Sequence, residues 1–370
     1  MAQKGRAAVF YGVGRPFGIK EYPVPEAGPG SAVIKVSMAN ICGSDLHIWR
    51  GEFNAAGMGF VLPRILGHEM TGKIYSLGEG VTSDSAGQPL AAGDRVVYRY
   101  FYPCGVCPVC RRGFTAACRN AVPHLNKSCD LHPHFRGAYG EYYYLQPRHT
   151  LFKVPDELSD EVVAPINCAL SEVIFGLEKA SFRFGETIVI QGAGGLGINM
   201  AAVAKEMGAG KVIVVEGVAE RIELALAFGA DEIVDMRELT EPQARVKRVK
   251  ELTDGWGADV VAELAGTPRA VPEGLAMLGI GGRYLEIGNI SPGLTYEADP
   301  SVLVWDSKTI VGVKWYEAET LKKALDFLAR TKDKYPFNKV LSHKFRLEKI
   351  NEAFAEQDKG HIQRTALVME

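Results

Sequence analysis

The stretch Thr187-Ile-Val-Ile-Gln-Gly192-Ala-Gly194-Gly195-Leu196-Gly197 decides the fold. Thr187 to Gln191 reads as a short buried strand, and Leu196 to Met207 carries helical apolar spacing. Between them lies G-x-G-x-x-G. That string is weak alone, but a strand before it and a helix behind it supply the context that dinucleotide binding requires. Gly192 permits the tight turn and Gly194 lets the backbone approach a pyrophosphate. Gly197 allows close helix–strand packing, and Gly195 and Leu196 complete the cofactor-binding turn. The helix N-terminus favours the negative charge.

Outward from this turn, strands and helices alternate. Lys211–Val215, Glu232–Val234, Val260–Glu263 and Tyr284–Ile287 read as strands, and 219–228 as a helix ended by Gly229. Such alternation predicts an α/β, doubly wound parallel sheet covered on both faces. The second strand ends at Glu216, about 20 residues beyond the glycines, where an acid hydrogen-bonds the ribose hydroxyls and repels a 2′-phosphate. This favours NAD, with Arg221 close behind as the residue that would accommodate NADP. Before residue 150 the short apolar runs Ala32–Val36, Arg95–Tyr100 and Glu141–Leu145 predict a mostly β domain. A helix is predicted from Ser159 to about Ala180, and helices near 317–330 and 350–357 precede a last strand at 365–369.

A length of 370 residues suits two domains, and the composition, with 47% hydrophobic and 23% charged residues, is globular. A net charge of −2 gives no reason to expect a nucleic acid or an anionic membrane. The basic run Arg245 to Lys250 reads as a solvated helix face. No signal-peptide core opens the chain, and no apolar run approaches the roughly 18 residues of a membrane span. The expected compartment is the cytoplasm, where thiols stay reduced, so the seven cysteines need another explanation.

Their spacing supplies it. Cys104, Cys107, Cys110 and Cys118 form C-x2-C-x2-C-x7-C, which can close a tetrahedron of thiolates around a structural zinc. The rival is an iron–sulfur cluster, but the fourth cysteine comes too late for that pattern and no proline follows it. A second constellation is scattered: Cys42-Gly-Ser44-Asp45-Leu-His47, then Gly67-His68-Glu69, then Cys168. Cys42, His68 and Cys168 would make a Cys2His site with one vacant position, the ligand set of a catalytic zinc. Alone, each would pass for an ordinary core residue. Only Cys129 is left over.

Together these motifs resemble the zinc-containing medium-chain alcohol dehydrogenases, over nearly the whole chain. The resemblance implies a GroES-like catalytic domain over 1–164 with a structural-zinc lobe near 100–120. It also implies a Rossmann domain over 165–312 and a return to the catalytic domain over 313–370. It implies NAD and two zinc ions per chain, with Cys42, His68 and Cys168 on the catalytic ion. Ser44 would contact the alcohol and His47 pass its proton outward, while Asp45 orients His68. Glu69 would lie beside the zinc, Arg364 would contact the cofactor pyrophosphate, and Trp49 and Tyr100 would wall the substrate pocket, with Phe53 nearby. A cysteine at 168, where polyol members tend to carry an acid, and serine rather than threonine at 44 point to secondary, cyclic or aromatic alcohols. The alternatives are a polyol or threonine-type dehydrogenase, then a zinc-free quinone reductase-like protein or a binding protein without catalysis. The likeness further suggests a homodimer or homotetramer acting on a small-molecule alcohol or carbonyl. The stretch holding Pro123, His124, Cys129, His132 and His134 is longer and richer in histidine than the commonest members have, and reads as a surface loop. Glu172, four residues after Cys168, has no assigned role.

Overall fold

The computed structural model describes residues 3–52, 59–121, 126–360 and 364–369. The chain forms two compact units. One comprises Met1–Ser171, Tyr316–Asp333 and Val340–Glu370; the other comprises Glu172–Trp315 and Lys334–Lys339. The first boundary therefore falls after Ser171, and a short late segment, Lys334–Lys339, returns to the second unit. There Tyr335 and Phe337 pack their rings around Phe228. Among the described residues no helix is long and apolar enough to cross a membrane.

The second unit holds six parallel strands in the order Glu232–Asp235, Lys211–Glu216, Thr187–Gln191, Ala258–Glu263, Leu278–Glu286, Thr309–Gly312. The first strand in sequence sits in the middle and later ones add to either side, so chain order reverses between Thr187–Gln191 and Ala258–Glu263. The strands are rich in Val and Ile because both faces are covered. Val189, Ile213, Val215, Val261 and Tyr284 form one core with Val249 of the helix Pro242–Leu252. On that helix Arg245 departs from the expected solvated face. It is buried and donates from Nε and Nη2 to Glu273, at 2.7 and 2.8 Å. A basic residue reaching a carboxylate on a neighbouring helix is paired rather than solvated, and periodicity along one helix cannot reveal that partner.

The first unit is built on mostly antiparallel sheet, with Leu341–Arg346 parallel to Arg364–Val368. A three-stranded sheet orders Gly18–Pro23, Lys4–Phe10, Arg64–Ile65. The larger, seven-stranded sheet is centred on Ala32–Asn40, which pairs with Glu69–Leu77, Tyr142–Leu145 and the final strand Arg364–Val368. The helix expected from Ser159 to Ala180 is broken by Pro165, which lacks the N–H a continuous helix would use. It becomes a turn at Asp160–Val163, a wide π-type turn at Ile166–Leu170, and a regular helix at Ser171–Lys179. The stretch after Cys118 also differs from a plain surface loop. Cys129 is buried, its Sγ 3.1 Å from the Tyr22 hydroxyl, and His134 stacks on the Tyr22 ring. Phe53, Pro123 and His124 lie outside the described residues.

Candidate active site and metal centres

Sheet register assembles the first cluster. Asn40 faces Glu69 on one side and Ala366 on the other. Because the strands are antiparallel, residues just past Asn40 meet residues just before Glu69. Cys42 thus reaches the segment holding His68, and Arg364 arrives on the third strand. Asp45 locks this crossing. One oxygen accepts from the Cys42 N–H at 3.0 Å and from the Tyr139 hydroxyl at 2.8 Å; the other accepts from the Gly67 N–H at 3.2 Å and lies 3.6 Å from His68 Nδ1.

Cys168 comes from the wide turn Ile166–Leu170, a helix irregularity of the kind common at functional sites. Asn167 pins that turn to the sheet. Its amide donates to the Met70 and Tyr98 carbonyls at 3.3 and 3.1 Å, and its carbonyl oxygen accepts from the Met70 N–H. The Tyr316 hydroxyl donates to the Asn167 backbone carbonyl at 2.7 Å. The result places Cys168 Sγ 3.4 Å from His68 Nε2 and 4.0 Å from Cys42 Sγ. The ligand atoms of Cys42, His68, Glu69 and Cys168 all lie within 4.8 Å of one another.

The electrostatics suit a cation. The Cys42 thiol is held well below its ordinary range, first by its hydrogen bond with Cys168; burial opposes the shift and His68 adds to it. Burial works against a charged His68, yet Asp45 and Cys42 raise its pKa well above the usual value. Burial pushes the Glu69 carboxyl up to about 8, with Arg364 opposing. One Glu69 oxygen meets Arg364 Nη2 at 3.0 Å, and the other is buried without a hydrogen-bond partner. Two thiols, an imidazole and an orphaned carboxylate oxygen fit a zinc ion: Cys42, His68 and Cys168 would hold it, with Glu69 beside it. The described ion pair of Arg364 runs to Glu69.

Around this cluster the Tyr100 ring lies 4.8 Å from the His68 ring. The helix Gly43–Arg50 carries Ser44 and His47, both half-exposed, and His47 Nδ1 is 2.6 Å from Glu52 Oε2. The ring of Trp49, read as a pocket wall, lies 5.9 Å from that of Phe354. Asn167, Tyr139 and Glu52 joined none of the sequence motifs.

The second cluster is the lobe. Cys118 Sγ lies 4.0 Å from Cys107 Sγ and 3.7 Å from Cys104 Sγ, and Cys110 completes the group. Backbone N–H groups already point at the sulfurs, from Cys104 to Cys118 and from Cys110 to Cys107. The Asn120 amide lowers the Cys104 thiol to about 6. Glu317 accepts from the Thr115 hydroxyl and the Ala116 N–H, holding the turn that leads into Cys118.

In the second unit the three glycines differ as their chemistry requires. Gly192 has φ +97°, in the left-handed region. A Cβ on Gly197 would sit 1.9 Å from the Gly192 carbonyl oxygen, whereas one on Gly194 would meet nothing within 4 Å. Gly194 is also the N-cap of the helix Gly195–Glu206. Glu216 is buried and accepts from the Ala193, Gly217 and Val218 N–H groups at 2.8, 2.7 and 3.0 Å. Arg221 stands 3.9 Å from its carboxylate. Glu172 accepts from the Trp315 N–H at 3.0 Å, which gives it a local structural partner.

Residues 28–156 match the alcohol dehydrogenase GroES-like domain, and 195–330 match the zinc-binding dehydrogenase domain. The chain is 32% identical over 337 residues to 5-exo-hydroxycamphor dehydrogenase of Pseudomonas putida, covering 90% of each. The chain belongs to the zinc-type medium-chain alcohol dehydrogenase family. It is also 32% identical, over 90% of each chain, to L-threonine 3-dehydrogenase of Pyrococcus horikoshii. Among solved structures, an alcohol dehydrogenase of Thermotoga maritima superposes with TM-score 0.92 at 29% identity, covering 99% of this chain and all of that one. A benzyl alcohol dehydrogenase of Acinetobacter calcoaceticus superposes with TM-score 0.84 at 25% identity, covering 100% of both chains. As a member of this family, the protein is an alcohol-oxidising oxidoreductase.

Proposed function

We propose that this alcohol dehydrogenase uses NAD and zinc to move a hydride between the carbon of a secondary, cyclic or aromatic alcohol and the nicotinamide, giving a ketone or aldehyde. The observation that carries the reading is the convergence of Cys42, His68 and Cys168 in one cluster, a ligand set that leaves a position for substrate. Zinc there supplies Lewis acidity, which lowers the pKa of an alcohol oxygen as it lowers that of water. The residues of the chain do the rest. Ser44 takes the hydroxyl proton and His47 relays it to solvent, with Glu52 at 2.6 Å as an exposed acceptor beyond it. Asp45 holds the His68 ring, and Glu69 with Arg364 sets the charge beside the cluster. The four-cysteine lobe holds a second, structural zinc, so about two ions per chain are expected by elemental analysis.

NAD is favoured because the Glu216 carboxylate ends the strand beside the glycine turn, where its charge repels a 2′-phosphate. The substrate class is supported by Ser44 in place of a bulkier threonine, by the Tyr100 ring against His68, and by the activities named for the hydroxycamphor and benzyl alcohol relatives. Absorbance at the NADH band, followed with NAD⁺ or NADP⁺ and a panel of secondary, cyclic, aromatic, primary and polyol alcohols plus threonine, tests all three parts. Reduction confined to cyclic or aromatic members with NAD⁺ is expected. Faster turnover with NADP⁺ would overturn the role given to Glu216, and reduction only with threonine or polyols would overturn the substrate class.

The reading includes a homodimer or homotetramer. It is supported by an uncovered apolar edge on the second unit, where Val304, Trp305 and Ile280 are 79, 85 and 76% exposed beside the edge strand Thr309–Gly312.

A further inference from the structure

Two carboxyl groups at the carboxyl edge of the parallel sheet take no part in the chemistry above. Glu263 ends its strand, Glu286 ends the next, and the two stand directly opposite in the register. Like charges so placed repel. Glu263 is fully buried, and neither acid forms an ion pair with a described residue. They are instead tied together. The Asn289 side-chain nitrogen lies 3.0 Å from Glu263 Oε2 and 3.0 Å from Glu286 Oε1, so one amide bridges both acids. The other Glu263 oxygen accepts from the Gly266 N–H at 2.7 Å. A Cβ on Gly288 would lie 2.5 Å from Glu263 Oε2 and 2.7 Å from the Gly266 nitrogen, so the segments leaving both strands interlock. Glu263 ends a strand that borders the point where chain order reverses, and nucleotides bind in the crevice outside the carboxyl ends there.

We propose that Glu263 and Glu286 share one proton and, with Asn289, form a positioning pair that holds the segment after Glu286 in shape for the nicotinamide cofactor. The role in cofactor binding rests on the function proposed above; the shared proton does not. Two carboxylates bridged by one amide, one of them fully buried, repel when both are ionised, whereas one proton turns the repulsion into a hydrogen bond. The titratable neighbour of both acids is Tyr284, whose hydroxyl donates to Gln191; Tyr296 and Glu273, the latter neutralised by Arg245, act in turn on Tyr284. Burial and then Glu286 raise the Glu263 carboxyl to about 8. The proton is therefore held below that pH and lost above it, so cofactor affinity holds below about 8 and falls as pH rises through it. For folding, the unfolded chain releases this proton near pH ~4.3. The stability the pair contributes is then full below that value, declines up to about 8 and is level above.

The test compares the zinc-loaded wild type with Glu286→Gln, which keeps an amide for hydrogen bonding but cannot hold the second charge. NADH dissociation constants, from fluorescence titration, are expected to be flat up to about pH 8 in the wild type and then to rise by as much as about tenfold per pH unit. In Glu286→Gln, where Glu263 stays buried but the opposing charge is gone, that rise is expected to begin at lower pH. Breaks arising at Glu69 or the zinc cluster are common to both proteins and cancel. Infrared spectra supply a readout independent of the cofactor: above the Glu69 contribution common to both proteins, a protonated-carboxyl band that fades near pH 8 in the wild type and at lower pH in the variant. A variant that keeps the wild-type rise overturns the positioning role, and one whose band fades at the wild-type pH overturns the shared proton. If neither protein binds NADH at any pH, the cofactor reading and the positioning role fall together, and the band alone decides the shared proton.

Discussion

At the scale of single residues, Asp45 shows how much the cluster depends on groups that never touch the substrate. Its carboxylate gathers the Cys42 N–H, the Gly67 N–H and the Tyr139 hydroxyl, and faces His68 Nδ1. Such partners fix the tautomer and direction of a metal-bound imidazole, and losing one costs about 10–100-fold in metal affinity. Asp45→Asn is expected to weaken the site by that factor, read as faster zinc transfer to a chromophoric chelator, while the lobe ion stays put. Unchanged zinc affinity would mean that Asp45 orients nothing. Cys168→Ser makes a complementary test. It should abolish turnover and leave NADH binding intact, since Cys168 belongs to the first unit and the glycine turn to the second. A fully active Cys168→Ser protein would remove Cys168 from the ligand set.

At the scale of elements, the strand–turn–helix of 187–206 separates folding from binding within six residues of glycine-rich turn. Gly197→Ala puts a methyl group into the Gly192 carbonyl oxygen, so helix and strand must part; a loss of about 1–3 kcal/mol in denaturant unfolding is expected. Gly194→Ala meets open space, so its unfolding curve should match the wild type while NADH affinity falls. Equal destabilisation by both would mean that Gly194 serves packing alone. This element was legible in the sequence because all its determinants are local: a strand, a glycine spacing, a helix start. So was the cysteine lobe, closed by loops of a few residues. The wide turn carrying Cys168 was not. It exists because Pro165 interrupts one helix and Asn167 binds carbonyls on two strands distant in sequence, and neither effect appears in apolar periodicity. The same reason hid Tyr139 behind Asp45, Glu273 behind Arg245 and Phe354 behind Trp49: each partner is set by tertiary contact.

At the scale of the whole molecule, the edge of the six-stranded sheet is the least finished surface. Among the described residues the strand Thr309–Gly312 has one neighbour, and Ile310 on it is 40% exposed. Its free N–H and C=O groups form a template for another strand, and edges of this kind are ordinarily blunted by charge, proline or a covering loop. Here the flanking residues are Val304 and Trp305, at 79 and 85% exposure, with Ile280 at 76% nearby. A second copy related by a two-fold axis would meet this edge with its own, each patch covering the other. A large apolar side chain withdrawn from water stabilises by about 1.5–3 kcal/mol, and a two-fold counts it twice. Trp305→Asp is therefore expected to raise the subunit dissociation constant by two or more powers of ten. Sedimentation velocity across a dilution series checks this: wild type should run as a dimer or tetramer, and the variant should fall towards monomer at the same concentration. A wild type that sediments as a monomer throughout would refute the assembly, and a variant that keeps the wild-type state would move the interface away from this edge.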